Sequence, residues 1–397
     1  MGNDVVDRAR AEQFDPWCRN RLVPGGYSFK DALMSHAEEW RPDGVLSFSE
    51  LLVDHAYATA IEFNLPANPA ASLPAIRDKY VQRQMLQRAD VPVPFYARIE
   101  NLPEFESALA EINGSAVLKP VAGVGSMATY PVEQGMDVAS LWHRARDAYL
   151  SDPRGQGEPI FILEEFLVGV RWHSDPRYGT YVSVESLVQE GAITHLAVED
   201  KLPLTKPFRE NGGIIPSTLP TEKTDLLHDC ASAAIEAIGL TNCAVHTEIM
   251  LTAVGPRVIE VNARIGGGVP EMLFLASGFD VVTAMAQISV GEKISLPPPI
   301  TRSAAIMLPQ APGAALRLKH VASIDQFESL PGVYSVQLNY GTGERPRWEK
   351  GTAAGTLARL FGEADGPETL LATFDELASS RLFDFELIGA SSKEGKS

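Results

Sequence analysis

Two alternating runs set the strongest constraint on how this chain can fold. From Ala244 to Leu251, Val245, Ile249 and Leu251 fall on one side and His246, Glu248 and Met250 on the other. From Arg257 to Ala263 the alternation returns, with Val258 the exception: Ile259 and Val261 take one side, Glu260, Asn262 and Arg264 the other. Period-two alternation belongs to a half-buried strand. The Ala253-Val254-Gly255-Pro256 break between the runs makes an antiparallel hairpin the natural reading. A hairpin centred near Val254 sets Glu248 opposite Glu260 on one face. Two adjacent carboxylates repel unless a proton or a cation lies between them. With Asn262 adding a neutral oxygen, the donor set is all-oxygen and hard, which suits magnesium or manganese better than zinc. Arg264 and Gly266-Gly267-Gly268 follow at once, a fixed positive charge and an open backbone beside the cation. The competing reading is a solvent-facing sheet with unrelated charges.

The rest of the composition bounds the partners. A chain of 397 residues has room for roughly two to three domains. It is 45% hydrophobic and 21% charged. No apolar run approaches the ~18 residues of a membrane span, and the polar start is unlike a signal peptide. Cys18, Cys230 and Cys243 are scattered, without CxxC spacing, which argues for a reducing, cytoplasmic setting and against a zinc site. A net charge of −17 disfavours nucleic acid and anionic membrane as partners, though a local cluster of cations can still take an anionic small molecule.

Along the chain, residues 1–94 read as a short N-terminal α/β domain. Val5-Val6 is a candidate short strand and Gly44–Phe48 a buried strand, with helices through about Asn64 and from Pro74 to Ala89. Residues 95–200 read as an α+β subdomain: strand Ala116–Lys119, a Gly123–Ser126 loop, a helix near 136–150, strand Ile160–Leu163, then alternating strands near 180–189 and 192–201. Residues 201–397 open with a Pro- and Gly-containing stretch, Leu202–Ser217, long enough for a mobile loop. An Ala-rich helix ending at Gly239 and the acidic hairpin follow. A small α+β tail begins near 300, with a strand at Arg302–Leu308 and a helix near 366–380.

Several shorter pieces carry chemistry, each with an ordinary alternative. Lys119 ends a strand before a glycine loop whose N–H groups can face phosphate oxygens, although such loops are also common turns. Glu164-Glu165-Phe166-Leu167 closes an apolar strand and could read an adenine edge through its backbone, or be a plain strand end. Lys79, Lys201, Arg209 and Glu210 are each indistinguishable from surface charges when taken alone. His246 reads as packed beside the acidic cluster rather than as a metal ligand. No Walker motif, GxGxxG spacing, Ser-His-Asp or Cys-His arrangement is evident.

Taken in order, these pieces resemble the ATP-grasp superfamily of carboxylate–amine ligases. The likeness covers roughly residues 41–310 and is most specific at Arg77-Asp78-Lys79-Tyr80, Lys119-Pro120, Glu164–Leu167 and Glu260-Val261-Asn262-Ala263-Arg264. It is strongest toward the amino-acid ligase branch that makes dipeptides and peptide-like antibiotics. The resemblance implies an ATP-grasp architecture: the N-terminal domain, then two α+β subdomains clamping ATP between antiparallel sheets. It implies that Lys79, Lys119 and the Gly123, Gly125, Ser126 loop hold phosphates, with Lys201 reaching them too. Glu164, Glu165, Phe166 and Leu167 would hold adenine. Glu248, Glu260 and Asn262 would hold magnesium, with manganese an alternative. Arg264, with Lys119, would serve catalysis, and Arg264 with Gly266, Gly267 and Gly268 would face the carboxylate substrate. A homodimer is implied by the resemblance alone. Where the family carries an acid for ribose in a G-x-E-x-S-V-[DE] pattern, Tyr181 stands here, after an insertion near 170–178. The expected reaction joins a carboxylate to an amine through an acyl phosphate. Its alternatives are a thiol acceptor or a non-catalytic ATP-binding regulator. A dinucleotide-binding oxidoreductase fails for want of a glycine fingerprint.

Overall fold

The computed structural model describes residues 28–155, 157–379 and 381–387. Val5-Val6 and Cys18 lie outside them. Residues 28–94 are helical, with helices at Phe29–Trp40, Val53–Glu62, Leu73–Arg77 and Lys79–Arg88. The strand expected at Gly44–Phe48 is irregular chain instead. No strand among the described residues lies alongside to pair with it; Phe48 is 47% exposed and Gly44 abuts Ser289 where a Cβ would not fit. The helix expected from Pro74 to Ala89 is cut at Asp78, whose carboxylate turns back to accept from the N–H groups of Tyr80 and Val81.

Two large antiparallel sheets and a two-stranded antiparallel ribbon carry the rest. The first is built from β1 (Tyr96–Ile99), β2 (Ala116–Pro120), β3 (Tyr130–Val132) and β4 (Phe161–Glu165), in the order β1-β4-β2-β3. The helices Leu102–Glu111 and Val138–Leu150 cover one face of it, around Phe105, Trp142 and Phe161. The second sheet takes β5 (Tyr181–Gln189), β6 (Ala192–Lys201), β7 (Gly212–Ile215), β8 (Asn242–Thr252), β9 (Gly255–Asn262) and β10 (Ser303–Met307). Among the described residues strand β11 (Ala315–Val321) pairs only with β14 (Phe383–Leu387), while β12 (Val333–Leu338) and β13 (Ala358–Ala364) extend the large sheet, giving β12-β13-β10-β7-β6-β5-β8-β9. The division expected at residue 200 therefore falls inside this sheet, where Asp200 pairs with Ile214; the break between sheets lies between Glu165 and Tyr181. Likewise the stretch 202–217 is not all loop, because Gly212–Ile215 is a strand clamped between β6 and β10.

The hairpin β8–β9 has the expected pairing, and the Val258 exception has a cause. The two-residue turn Ala253-Val254 pairs Leu251 with Pro256 and Ile249 with Val258, but a bulge then sets Glu248 against Glu260. Ile259 is the extra residue. Val258 and Val261 thus both reach the core beneath the hairpin, packed against Val245, Leu86 and Ile235, while Glu260 stays on the other face. Among the described residues no single helix is long and apolar enough to cross a membrane.

Candidate active site

Strand parity lays out the site as rows across the large sheet. On β5, Tyr181, Ser183 and Glu185 share one face, and Val182 and Val184 enter a core below. Register then places neighbours: Ser183 lies between Glu199 of β6 and Glu248 of β8, and Glu248 faces Glu260 of β9. One row further along, Glu185 is beside His246, which is beside Asn262. Arg264 and the glycines follow directly.

The row is a chain of charge. Glu248 Oε1 is 3.3 Å from His246 Nε2, and His246 Nδ1 is 2.5 Å from Glu185. The Ser183 hydroxyl lies 2.9 Å from Glu185 and 2.8 Å from Glu199, and Lys201 Nζ sits 2.8 Å from Glu199 and 3.8 Å from Glu210. Burial pushes the His246 pKa down, but the Glu185 carboxylate overrides it and holds the imidazole at about 10. Burial would raise Glu248, yet His246, Lys201 and Arg264 keep it at about 2. Burial raises Glu210, with Lys201 opposing and Glu248 adding to the rise.

Lys79 reaches this row from the helical segment. Its Nζ is 2.7 Å from Glu260 and donates to the Gly123 carbonyl at 3.1 Å, so one lysine touches both the hairpin and the glycine loop. Gly125 and Ser126 adopt positive φ, which bends that loop back over the sheet. There the Ser126 hydroxyl donates to Phe208 O, and Gly125 O accepts from Thr352 N. On the far side Arg264 pairs with Glu50 at 2.5 Å. Gly266 N–H donates to Glu185, and a Cβ at Gly266 would meet His246 at 2.6 Å. Gly267 faces open space, and Gly268, at positive φ, opens the helix Val269–Ser277.

The di-Glu segment behaves differently from the sequence expectation. The Glu164 side chain is buried in β4, held by Arg83 and by Lys119, each at 2.6 Å. Burial would raise its pKa, but the two cations hold it at about 2. Lys119 is thereby committed to Glu164. The N–H groups of Glu165 and Phe166 are also taken, by Phe95 O and Ser115 O. Leu167 N–H is the first in this segment with no hydrogen-bond partner among the described residues. Phe166 faces Phe208 across 6.4 Å. Lys201 is buried between Glu199 and Glu210 rather than extended on a mobile loop, and these acids raise its pKa against the effect of burial.

Glu50, Glu185, Glu199 and Glu210 join Glu248 and Glu260 around Lys79, Lys201, Arg264 and His246, so carboxylates outnumber cations here. That excess, with Glu248 and Glu260 side by side and each about one-fifth exposed, suits a hard divalent cation. Among the described residues no three His, Cys or acidic side chains converge as a metal cluster, so the set on offer is two carboxylates and the Asn262 oxygen. Sequence reasoning missed Arg83, Glu50 and Glu199, and met Glu185 only as the acidic end of the Gly179–Glu185 pattern, with no role assigned. The parity of Ser183 and Glu185 along an apolar strand was the one available signal; Arg83 and Glu50 act across long sequence separations.

Residues 112–271 match the model of the ATP-grasp domain. The alanine–anticapsin ligase of Bacillus subtilis (strain 168) is 30% identical over 244 residues, 60% of this chain and 51% of that protein. Carnosine synthase 1 of Gallus gallus is 27% identical over 280 residues, 67% of this chain and 28% of that protein. The chain spans about half the length of the first curated relatives it matches. Among solved structures, L-amino acid ligase from Bacillus licheniformis shares the fold with a TM-score of 0.71 at 21% identity, covering 90% of this chain and 84% of that one. The biotin carboxylase domain of Hydrogenobacter thermophilus 2-oxoglutarate carboxylase, crystallised with MgADP, gives 0.67 at 16% identity, over 96% and 84%.

Proposed function

We propose that this chain, whose residues 112–271 match the ATP-grasp domain model, is an ATP-dependent ligase joining the carboxylate of one amino acid to the amine of another, with release of ADP and phosphate. The observation that carries the reading is the single strip of groups from Lys79 through Glu260 and Glu248 to Arg264. It sets cation-holding oxygens between a phosphate-side lysine and a substrate-side arginine. The names of the relatives, an alanine–anticapsin ligase and an L-amino acid ligase, support it.

In this reading the nucleotide base lies against Phe166, Leu167 and Phe208, with its phosphates beneath the Gly123–Ser126 loop and beside Lys79. Glu248, Glu260 and Asn262 would hold magnesium, which would neutralise phosphate charge when bound; manganese would satisfy the same oxygens. A carboxylate is a poor electrophile, so its oxygen takes the γ-phosphoryl group and becomes an acyl phosphate with a good leaving group. Arg264 and the N–H groups around Gly267 orient that carboxylate and stabilise the oxyanion formed when the amine attacks. The glycine loop, held down by Phe208 and Thr352, excludes water that would hydrolyse the acyl phosphate. Lys119 acts through Glu164, fixing the strand from which the hinge departs. The β1–β4 sheet serves as the lid, and a homodimer is part of the proposal.

The test is ADP release by purified full-length protein, with magnesium and pairs of amino acids, followed by product mass. An amide with ADP in equal amount is expected. A thioester with an added thiol, or tight ATP binding without turnover over the whole panel, would replace this reading. Arg264→Ala with full activity would remove the assigned role.

A further inference from the structure

Arg209 is the bulkiest side chain among those fully buried, at 1% exposure, and no carboxylate pairs with it among the described residues. Its guanidinium is held by carbonyls instead: NH1 donates to Ala311 O at 2.7 Å, and Nε and NH2 donate to Lys206 O at 3.3 and 3.2 Å. The Trp348 ring lies 5.9 Å away as a lid. Gly355 completes the niche, since a Cβ there would fall 2.8 Å from Arg209 NH1. A buried guanidinium without a counter-ion is an unfavourable choice for stability, which asks what else it does.

The answer lies in its two neighbours. Thr205 and Arg209 exchange both backbone hydrogen bonds, each 2.8 Å, closing a tight turn that ends at Arg209. Phe208, one residue before, faces Phe166 of the hinge and accepts from Ser126 of the glycine loop. Glu210, one residue after, points toward Lys201 and is tied by its backbone to Thr352 and Gln310. Every anchor of Arg209 outside its own turn comes from residues 310–355, beyond the 112–271 domain match.

We propose that Arg209 is a positioning residue for nucleotide binding, docking its turn onto the C-terminal element so that Phe208 closes the pocket between hinge and glycine loop. The proposal rests on the ATP-dependent reading above. Arg209 touches no substrate; it acts through Phe208. Lysine cannot reproduce the fork that reaches both Lys206 O and Ala311 O.

Arg209→Met and Arg209→Lys are compared with wild type in steady-state ADP release against ATP concentration, and in titration with a fluorescent ATP analogue. For Arg209→Met the expected result is a rise of tenfold or more in both the ATP KM and the analogue Kd, with the amino-acid KM changed less than threefold. Arg209→Lys should recover part of the ATP effect. A folded Arg209→Met protein whose ATP KM and analogue Kd stay within twofold of wild type overturns the proposal, even if its Tm falls. Should Arg209→Met not fold, Gly355→Ala crowds the same guanidinium and must raise the analogue Kd; an unchanged Kd overturns the proposal equally. If wild type binds the analogue but turns over no substrate pair, the ligase reading fails while the titration still decides the role of Arg209.

Discussion

Removing Arg83 tests whether Glu164 is the buried junction between the two sheets. Arg83 is 2% exposed, and its guanidinium donates to Glu164 from Nε and to the carbonyls of Val258 and Ile259 from NH1 and NH2. Glu164 sits at about 2 against an ordinary 4.5. At ~1.4 kcal/mol per pH unit, that displacement corresponds to roughly 3 kcal/mol, shared by Arg83 and Lys119. Arg83→Met forfeits much of that share and also strands two carbonyls. Breaking a buried pair by deleting one partner costs about 3–5 kcal/mol, so the expected loss is about 3 kcal/mol at pH 7. The folded pKa of Glu164 lies below its unfolded value. Its stabilisation is therefore complete above about 4.5 and is lost as pH falls toward about 2. Urea denaturation of both proteins should show a constant gap from pH 6 to 8 that narrows in acid between those values. A gap under about 1 kcal/mol at pH 7, or one equally wide at pH 3, would refute the reasoning.

Three other perturbations discriminate as sharply. Glu260→Gln should lower magnesium-dependent ADP formation by a hundredfold or more, and chelation of wild type by EDTA should do the same and be reversed by added magnesium; activity indifferent to EDTA would remove the cation site. Gly351 has φ +97° and a Cβ there would fall 2.4 Å from Gly125 O, whereas Gly343 has φ +91° and open space. Both alanine variants carry backbone strain of order 1–3 kcal/mol, so Gly351→Ala should lower Tm clearly more than Gly343→Ala, and equal shifts would deny the contact with the glycine loop. His195 stacks on His228 at 4.5 Å, with Ser186 and Ser232 at its two ring nitrogens, and Asp229 nearby. Burial, reinforced by His228, lowers its pKa to about 4 from 6.5, so the unfolded chain binds the extra proton first. Stability should fall as pH drops from about 6.5 toward 4, and His195→Gln should flatten that slope in denaturation curves.

What the sequence revealed and what it hid divide along a physical line. The strands Ala116–Pro120, Tyr181–Gln189 and Ala192–Lys201 and the helix ending at Gly239 were legible, because periodicity and a glycine cap are local signals. The hairpin itself was legible from its two alternating runs, but a centre at Val254 gives Glu248 opposite Glu260 only because the bulge at Ile259 makes up the one-residue difference from the actual Ala253-Val254 turn. Gly44–Phe48 misled because a run of apolar residues says nothing about whether a neighbouring strand exists. The burial of the Glu164 side chain had no local signal, because the Arg83 that makes it tolerable lies 81 residues earlier. The stretch 202–217 concealed β7, since Gly212 and Gly213 look like loop residues. A Cβ at Gly212 would collide with Ile306 O and one at Gly213 with Glu199. Those glycines are there so that strands can come close.

The bulge at Ile259 has a consequence for how tolerant this site is of change. Continuing the pairing set by the turn would bring Ile259, not Glu260, opposite Glu248. The site is thus encoded as an offset of one residue between turn and carboxylate, and side-chain identity counts for nothing if that offset changes. Deleting a single residue between Gly255 and Ile259 can leave a well-formed hairpin that still carries Glu248, Glu260 and Asn262. Preserving the position of Glu260 would then require straightening the bulge and repacking Val258. Insertions and deletions in this short span are therefore a harsher test of the site than most substitutions within it.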